Sequence, residues 1–186
     1  MGTTIWSFLE LAIGLTLKVN NMKIIHNNFI PFKGFGAINI LGLVFSRVPE
    51  KNVSARTKRH EGTHTYQQYE LIGASAIISL ILCNIWASWA YLALIPIIPF
   101  ALYIMSFLIE MAIPPYHNAK ELFVGKDLFE KVKSVRTWVV KVWMDAYNDN
   151  CFEREAYMND GDPLYNSVRS WFSWWKYIIP RQERKG

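Results

Sequence analysis

The sequence predicts a mainly α membrane protein. A helical membrane hairpin is inserted between an HExxH helix and a glutamate-bearing helix, with a small N-terminal β-hairpin. Three observations predict this. Of 186 residues, 52% are hydrophobic, 15% aromatic and 19% charged, against roughly 25% charged in ordinary soluble domains. Leu71 to Ile109 is a run of thirty-nine residues without Asp, Glu, Lys or Arg. His60-Glu61-Gly62-Thr63-His64 stands just before that run. The composition excludes intrinsic disorder, a collagen-like repeat and a disulfide scaffold. The two cysteines read as reduced thiols, since Cys83 lies inside the apolar run.

The chain reads as a single domain, 1–186, in five stretches. Residues 1–21 hold an apolar segment, Thr4–Leu17, without a basic start or a small-residue cleavage site. It is short for a span, so an interfacial or re-entrant helix is expected rather than a signal peptide. In 22–53, the runs Met22–Pro31 and Ala37–Phe45 are β-rich, and Phe32-Lys33-Gly34-Phe35-Gly36 offers turn glycines, which predicts a β-hairpin. A helix over 54–70 starts near Ser54 or Ala55 and carries the HExxH motif.

Residues 71–113 are long enough for two spans of about 20 residues each. The turn falls between Asn84 and Pro96, with Trp86, Trp89 and Tyr91 at the far interface. Pro114-Pro115 stops the second span. In 114–186, helices are expected over Asp127–Tyr147 and Cys151–Met158, and an amphipathic helix over Pro163–Ile179.

Eight Lys and Arg precede the hairpin and twelve follow it, so both flanks are expected to face the cytoplasm. The net charge of +5 suits contact with anionic headgroups and needs no nucleic acid to explain it. The lipid bilayer is thus the expected partner. Oligomeric state is not legible.

On a helix, residues i and i+4 share a face, so His60 and His64 can reach one metal ion at roughly 2.0–2.1 Å. Glu61 is turned by about 100° and is placed to act as general base on water activated by zinc. Gln67 and Glu70 extend the same face towards the membrane, where polar groups need partners. A third ligand is expected on Cys151–Tyr157: Glu153 first and Glu155 in reserve, with His117 as a further alternative. A surface ion pair between Glu153 and Arg154 is the competing reading of that segment. Tyr157, four residues after Glu153, could steady a ligand or donate to a developing oxyanion.

HExxH, two spans and then Glu153-Arg154-Glu155-Ala156 resembles the gluzincin membrane peptidases of the HtpX and CAAX-protease group. The HExxHxxQ and FEREAY pattern also resembles short bacterial and phage membrane proteins. The peptidase resemblance implies zinc held by His60, His64 and Glu153, with Glu61 as base and a peptide or membrane-protein substrate. It also implies an integral protein of the bacterial inner membrane with its metal site facing the cytoplasm. Tyr157 stands where that group has Asp, and its two N-terminal spans are replaced here at best by Thr4–Leu17. Strand Ala37–Phe45 fits the edge strand that zincin peptidases present to an extended substrate.

Two other functions fit parts of the pattern. A non-catalytic membrane protein could keep a structural zinc site and act through an interaction face such as Trp171, Trp174 and Trp175. A di-iron oxidase needs a second E-x-x-H besides Glu61-x-x-His64, and the chain has none.

Overall fold

The computed structural model describes residues 22–31, 36–112 and 128–178. Thr4–Leu17, most of the expected turn at Phe32–Gly36, Pro114-Pro115 and His117 lie outside the described residues.

Three short strands precede the helices: β1 (Lys23–His26), β2 (Ala37–Ile40) and β3 (Leu43–Ser46), in the order β1-β3-β2. The expected hairpin between the two β-rich runs does not form. The hairpin closes inside the second run, where β2 and β3 pair antiparallel and β1 joins β3 in parallel. Leu41 and Gly42 make the connection with φ of 51° and 85°, the two left-handed positions of a type I′ turn.

Leucine is a poor choice for left-handed backbone, so sequence alone continued the strand there. Tertiary bonds hold the turn in place. Asn39 Oδ1 accepts from Gly42 N at 2.9 Å, and Leu41 N donates to Gln68 Oε1 at 2.6 Å. Tyr69 Oη donates to the Leu41 carbonyl at 3.0 Å.

Helix α1 runs from Ala55 to Trp86, one continuous rod of 32 residues that joins the HExxH helix to the first apolar span. Ser54 is its N-cap, accepting from Thr57 N at 3.0 Å. The rod ends at Ala87, in the left-handed region. A 3₁₀ turn, Trp89–Ala93, leads into α2 (Leu94–Ala112), within the predicted Asn84–Pro96 window. Both helices are long and apolar enough to cross a membrane. Only 28% and 6% of their most apolar stretches are buried, whereas the core helix of a soluble protein would be mostly covered. The buried positions of the first span recur every four residues: Leu71, Ser75, Ser79 and Cys83. Small residues on one stripe let two backbones approach closely, the usual packing of helices in lipid.

Helix α3 (Leu128–Asp149) and helix α4 (Cys151–Asn159) follow, close to their predicted bounds. Asn150 separates them. It caps α4 through Phe152 N at 2.9 Å and reaches Ser106 on α2 at 2.6 Å. Phe152 then packs between Tyr103 of α2 and Trp174, which seats α4 beside α1.

The expected helix over Pro163–Ile179 is broken. A four-residue helix α5 (Tyr165–Val168) and a 3₁₀ turn (Ser173–Tyr177) flank a bend with Phe172 at φ 56°. The break follows from Arg169, whose side chain is drawn into the interior by two carboxylates. A regular amphipathic helix would have left that guanidinium outside.

Candidate metal centre

Helix α1 places His60 and His64 one turn apart, and α4 brings Glu153 against them. His64 Nε2 lies 3.0 Å from His60 Nε2. Glu153 contributes Oε2 at 3.3 Å from His60 Nε2 and Oε1 at 3.4 Å from His64 Nε2. Ligands at roughly 2.0–2.1 Å from a tetrahedral zinc stand about 3.3–3.4 Å apart. The two nitrogens stand somewhat closer than that and each faces a different Glu153 oxygen; with one ligand atom from each residue within 4.8 Å of the others, the group can hold a metal ion.

Glu155, the reserve ligand, is elsewhere. Fully buried, it pairs with Arg169 Nε at 2.6 Å and accepts from Tyr165 Oη at 2.7 Å. Glu153 and Glu155 are two residues apart on α4, so they point to different sides, and only Glu153 faces the histidines. The competing ion pair of Glu153 with Arg154 is not made; Arg154 turns to Glu110 on α2 at 3.4 Å.

Gln67 and Glu70, which extend the face of α1, both have partners. Gln67 Oε1 lies 2.8 Å from His64 Nδ1. The Gln67 amide nitrogen donates to the Phe152 carbonyl at 3.0 Å and to Glu155 Oε2 at 2.8 Å. That fixes the carboxamide with its oxygen towards the imidazole, so His64 keeps a proton on Nδ1 and leaves Nε2 as the nitrogen that a metal ion would take. Glu155 is held in turn by Arg169, which also pairs with both oxygens of Glu70. A chain of hydrogen bonds thus links His64, one of the three candidate ligands, to the C-terminal segment.

The two central positions of the motif serve docking. A Cβ on Gly62 would meet Asn166 Nδ2 at 2.7 Å. Thr63 Oγ1 donates to Asn166 Oδ1 at 2.9 Å, and Asn166 donates to the Arg59 carbonyl at 2.9 Å. Glycine and threonine at these positions therefore let α5 close over the helix.

Electrostatics follow from burial and proximity. Burial raises the carboxyl pKa of Glu153, yet the charge of His64 and hydrogen bonds from His60, His64 and Tyr147 hold it well below the usual carboxylate range. Burial disfavours charge on His64, but Glu153 beside it, Glu61 and the Gln67 hydrogen bond together outweigh burial and push the imidazole up to about 9. A carboxylate field that favours a proton there favours a cation equally. Burial raises the pKa of Glu61, partly offset by His64 and His60, and no described residue donates a hydrogen bond to its carboxylate.

Tyr157 packs its ring 4.5 Å from that of His60 and stays partly exposed; burial and Glu153 raise its pKa, so it keeps its proton. Tyr147, absent from the sequence-based site, hydrogen-bonds Glu153. Its only signal is an aromatic O–H on the helix just before the ligand.

Strand β2 does form an edge beside α1, and Asn39 Nδ2 donates to the Glu61 carbonyl and to Thr65 Oγ1. The Gln68 carboxamide bonds both Leu41 N and the Asn39 carbonyl, as a neighbouring strand would. Part of the edge expected to receive a substrate is therefore already paired. No family model, curated protein or solved structure matches this chain.

Proposed function

We propose that this protein is a zinc-dependent metallopeptidase of gluzincin type, an integral protein of the bacterial inner membrane with its metal site facing the cytoplasm. The single observation that carries this reading is the convergence of His60, His64 and Glu153, one ligand atom from each within 4.8 Å of the others, beside the buried Glu61, whose carboxylate accepts no hydrogen bond from the described residues. Two nitrogens and one carboxylate oxygen suit zinc. Three protein ligands leave a fourth position open, the mark of a catalytic rather than a structural site.

Charge supports the same reading. Glu61, Glu70, Glu153 and Glu155 are all buried, and Arg169 pairs with Glu70 and Glu155 alone. A divalent cation between the histidines and Glu153 would take over from the imidazole charge the compensation of the other two.

When bound, zinc supplies Lewis acidity towards a peptide carbonyl and towards water. Glu61, with its raised pKa, is the group that takes the water's proton and returns it to the leaving amine. Tyr157 donates its O–H to the developing oxyanion at the open edge of the site. The basic flanks, eight residues before the spans and twelve after, support the cytoplasmic orientation. The continuous α1 rod, which joins the motif directly to a helix long and apolar enough to cross a membrane, supports substrates that are peptide segments near the membrane surface.

The test is hydrolysis of membrane-proximal peptides by wild type beside Glu61→Gln, with metal content measured in both. Retained metal and a rate lowered at least about a hundredfold are expected. Full activity in Glu61→Gln sinks the mechanism.

A further inference from the structure

Two clusters of exposed apolar side chains lie outside the metal centre and outside the two long apolar helices. Ile40, Leu41 and Leu43 are exposed around the β2–β3 turn, and Trp171, Phe172, Trp175 and Ile178 along the C-terminal segment. Neither cluster is a loose edge of the core. The Leu41 backbone is bonded on both sides, to Gln68 and to Tyr69. The C-terminal turn is held from within by Trp174 packed on Phe152. Arg154 Nη1 also donates to the Tyr177 carbonyl at 2.6 Å, and Asn159 Nδ2 to Tyr177 Oη at 3.0 Å. A fixed backbone thus turns these rings outward, and covering them takes a surface that the described residues do not supply.

Both clusters are tied to one level of α1. The β2–β3 turn bonds Gln68 and Tyr69, and Arg169, two residues before Trp171, pairs with Glu70. From Gln68 to Glu70 the helix rises only about 3 Å, while successive residues turn by about 100°. The clusters therefore flank α1 on different sides at the same height. Leu71, the next residue, opens the apolar run and packs in one cluster with Phe152 and Trp174. Ile178 carries the same level across to α2, where it shares a cavity with Met105 and Ile109.

We infer that the two clusters form a collar seated in the headgroup–acyl boundary of the leaflet that α1 enters. A bilayer is the occupant that fits, because two patches on unrelated elements, on different sides of one helix and at one height, meet a plane. Tryptophan is favoured at membrane interfaces, and Lys176 beside Trp175 can lay its stem on apolar surface and its ammonium among headgroups. Exposed apolar residues continue from the collar along α1 at Ile77, Ile78 and Ile81. The inference rests on the membrane reading proposed above and adds its depth. His64, six residues before Glu70, stands about 9 Å to the aqueous side of the collar, which selects peptide segments just outside that leaflet as substrates.

The test is depth-dependent fluorescence quenching of the full chain in nanodiscs of phosphatidylcholine and phosphatidylglycerol. Cys83 and Cys151 are buried, so one introduced surface cysteine carries the fluorophore. Labels at Ile40→Cys and Trp175→Cys should be quenched more by a nitroxide on the lipid headgroup than by one at the middle of the acyl chain. Ile81→Cys should show the reverse order. Lys51→Cys, in the 3₁₀ turn that precedes α1, should be quenched by neither. Leu43→Cys and Trp171→Cys repeat the measurement where one of the first pair fails to fold.

A quenched Ile81 label beside a label at either cluster that behaves like Lys51 refutes the collar alone, and leaves that cluster to a second copy or another protein. Labels at the clusters quenched most by the mid-chain nitroxide overturn the interfacial placement. An Ile81 label quenched by neither nitroxide removes the membrane reading, and the collar with it.

Discussion

Between Ala55 and Glu70, helix α1 buries Glu61, Thr63, Thr65, Gln67 and Glu70; between Leu71 and Trp86 it exposes Ile77, Ile78, Ile81 and Ile85. One helix thus carries two opposite inside-out rules. In the first half, Thr63, Thr65, Gln67 and Glu70 each take a partner from a distant segment: Asn166, Asn39, Glu155 or Arg169. In the second half, the buried serines satisfy themselves. Ser75 Oγ donates to the Leu71 carbonyl at 2.6 Å and Ser79 Oγ to the Ser75 carbonyl at 2.7 Å. The difference separates a site, which is specified by non-local bonds, from a span, which needs only small residues on one side and apolar residues on the other.

The sharpest way to break the comparison is at Arg169, which compensates Glu70 and Glu155. Arg169→Met strands two buried carboxylates and should cost about 3–5 kcal/mol in detergent unfolding. Replacing all three members by apolar residues should restore much of that loss. The span should respond to charge instead. On the membrane reading proposed above, Ile81→Asp puts a carboxylate on the exposed, lipid-facing side, with an insertion penalty of about 2.5–3.5 kcal/mol, read as a fall in membrane-inserted protein, whereas Ile81→Leu should be silent.

Gln67→Leu keeps all three ligands but releases His64 Nδ1. Zinc affinity should fall about 10–100-fold by competition titration, and no change would show that the carboxamide does not orient the imidazole. Ser54→Ala removes the α1 N-cap, and about 1 kcal/mol of thermal stability should go with it, with metal binding unaltered.

The same contrast explains what could be read from sequence. The two long apolar helices were legible because hydropathy is local, and the Asn84–Pro96 turn fell where asparagine, serine and prolines interrupt the run. His60 and His64 were legible because helical spacing alone puts them on one face. Glu153 was favoured over Glu155 without geometry to decide. The fold decides by giving Glu155 to Arg169 and Tyr165. The need for partners at Gln67 and Glu70 was legible too, but Arg169 lies 99 residues from Glu70, and no local pattern names it.

For the same reason the C-terminal segment looked like a regular amphipathic helix until its arginine turned inward. The sheet was misread because Leu41, held left-handed by Gln68 and Tyr69, carries no turn signature of its own.

Metal content of detergent-purified protein, wild type beside Glu153→Gln and Glu155→Gln, tests the central claim most directly. About one zinc per chain in wild type, lost in Glu153→Gln and kept in Glu155→Gln, is the result that a His60, His64, Glu153 centre predicts. No bound metal in wild type after zinc is supplied, or metal retained in Glu153→Gln, would contradict it.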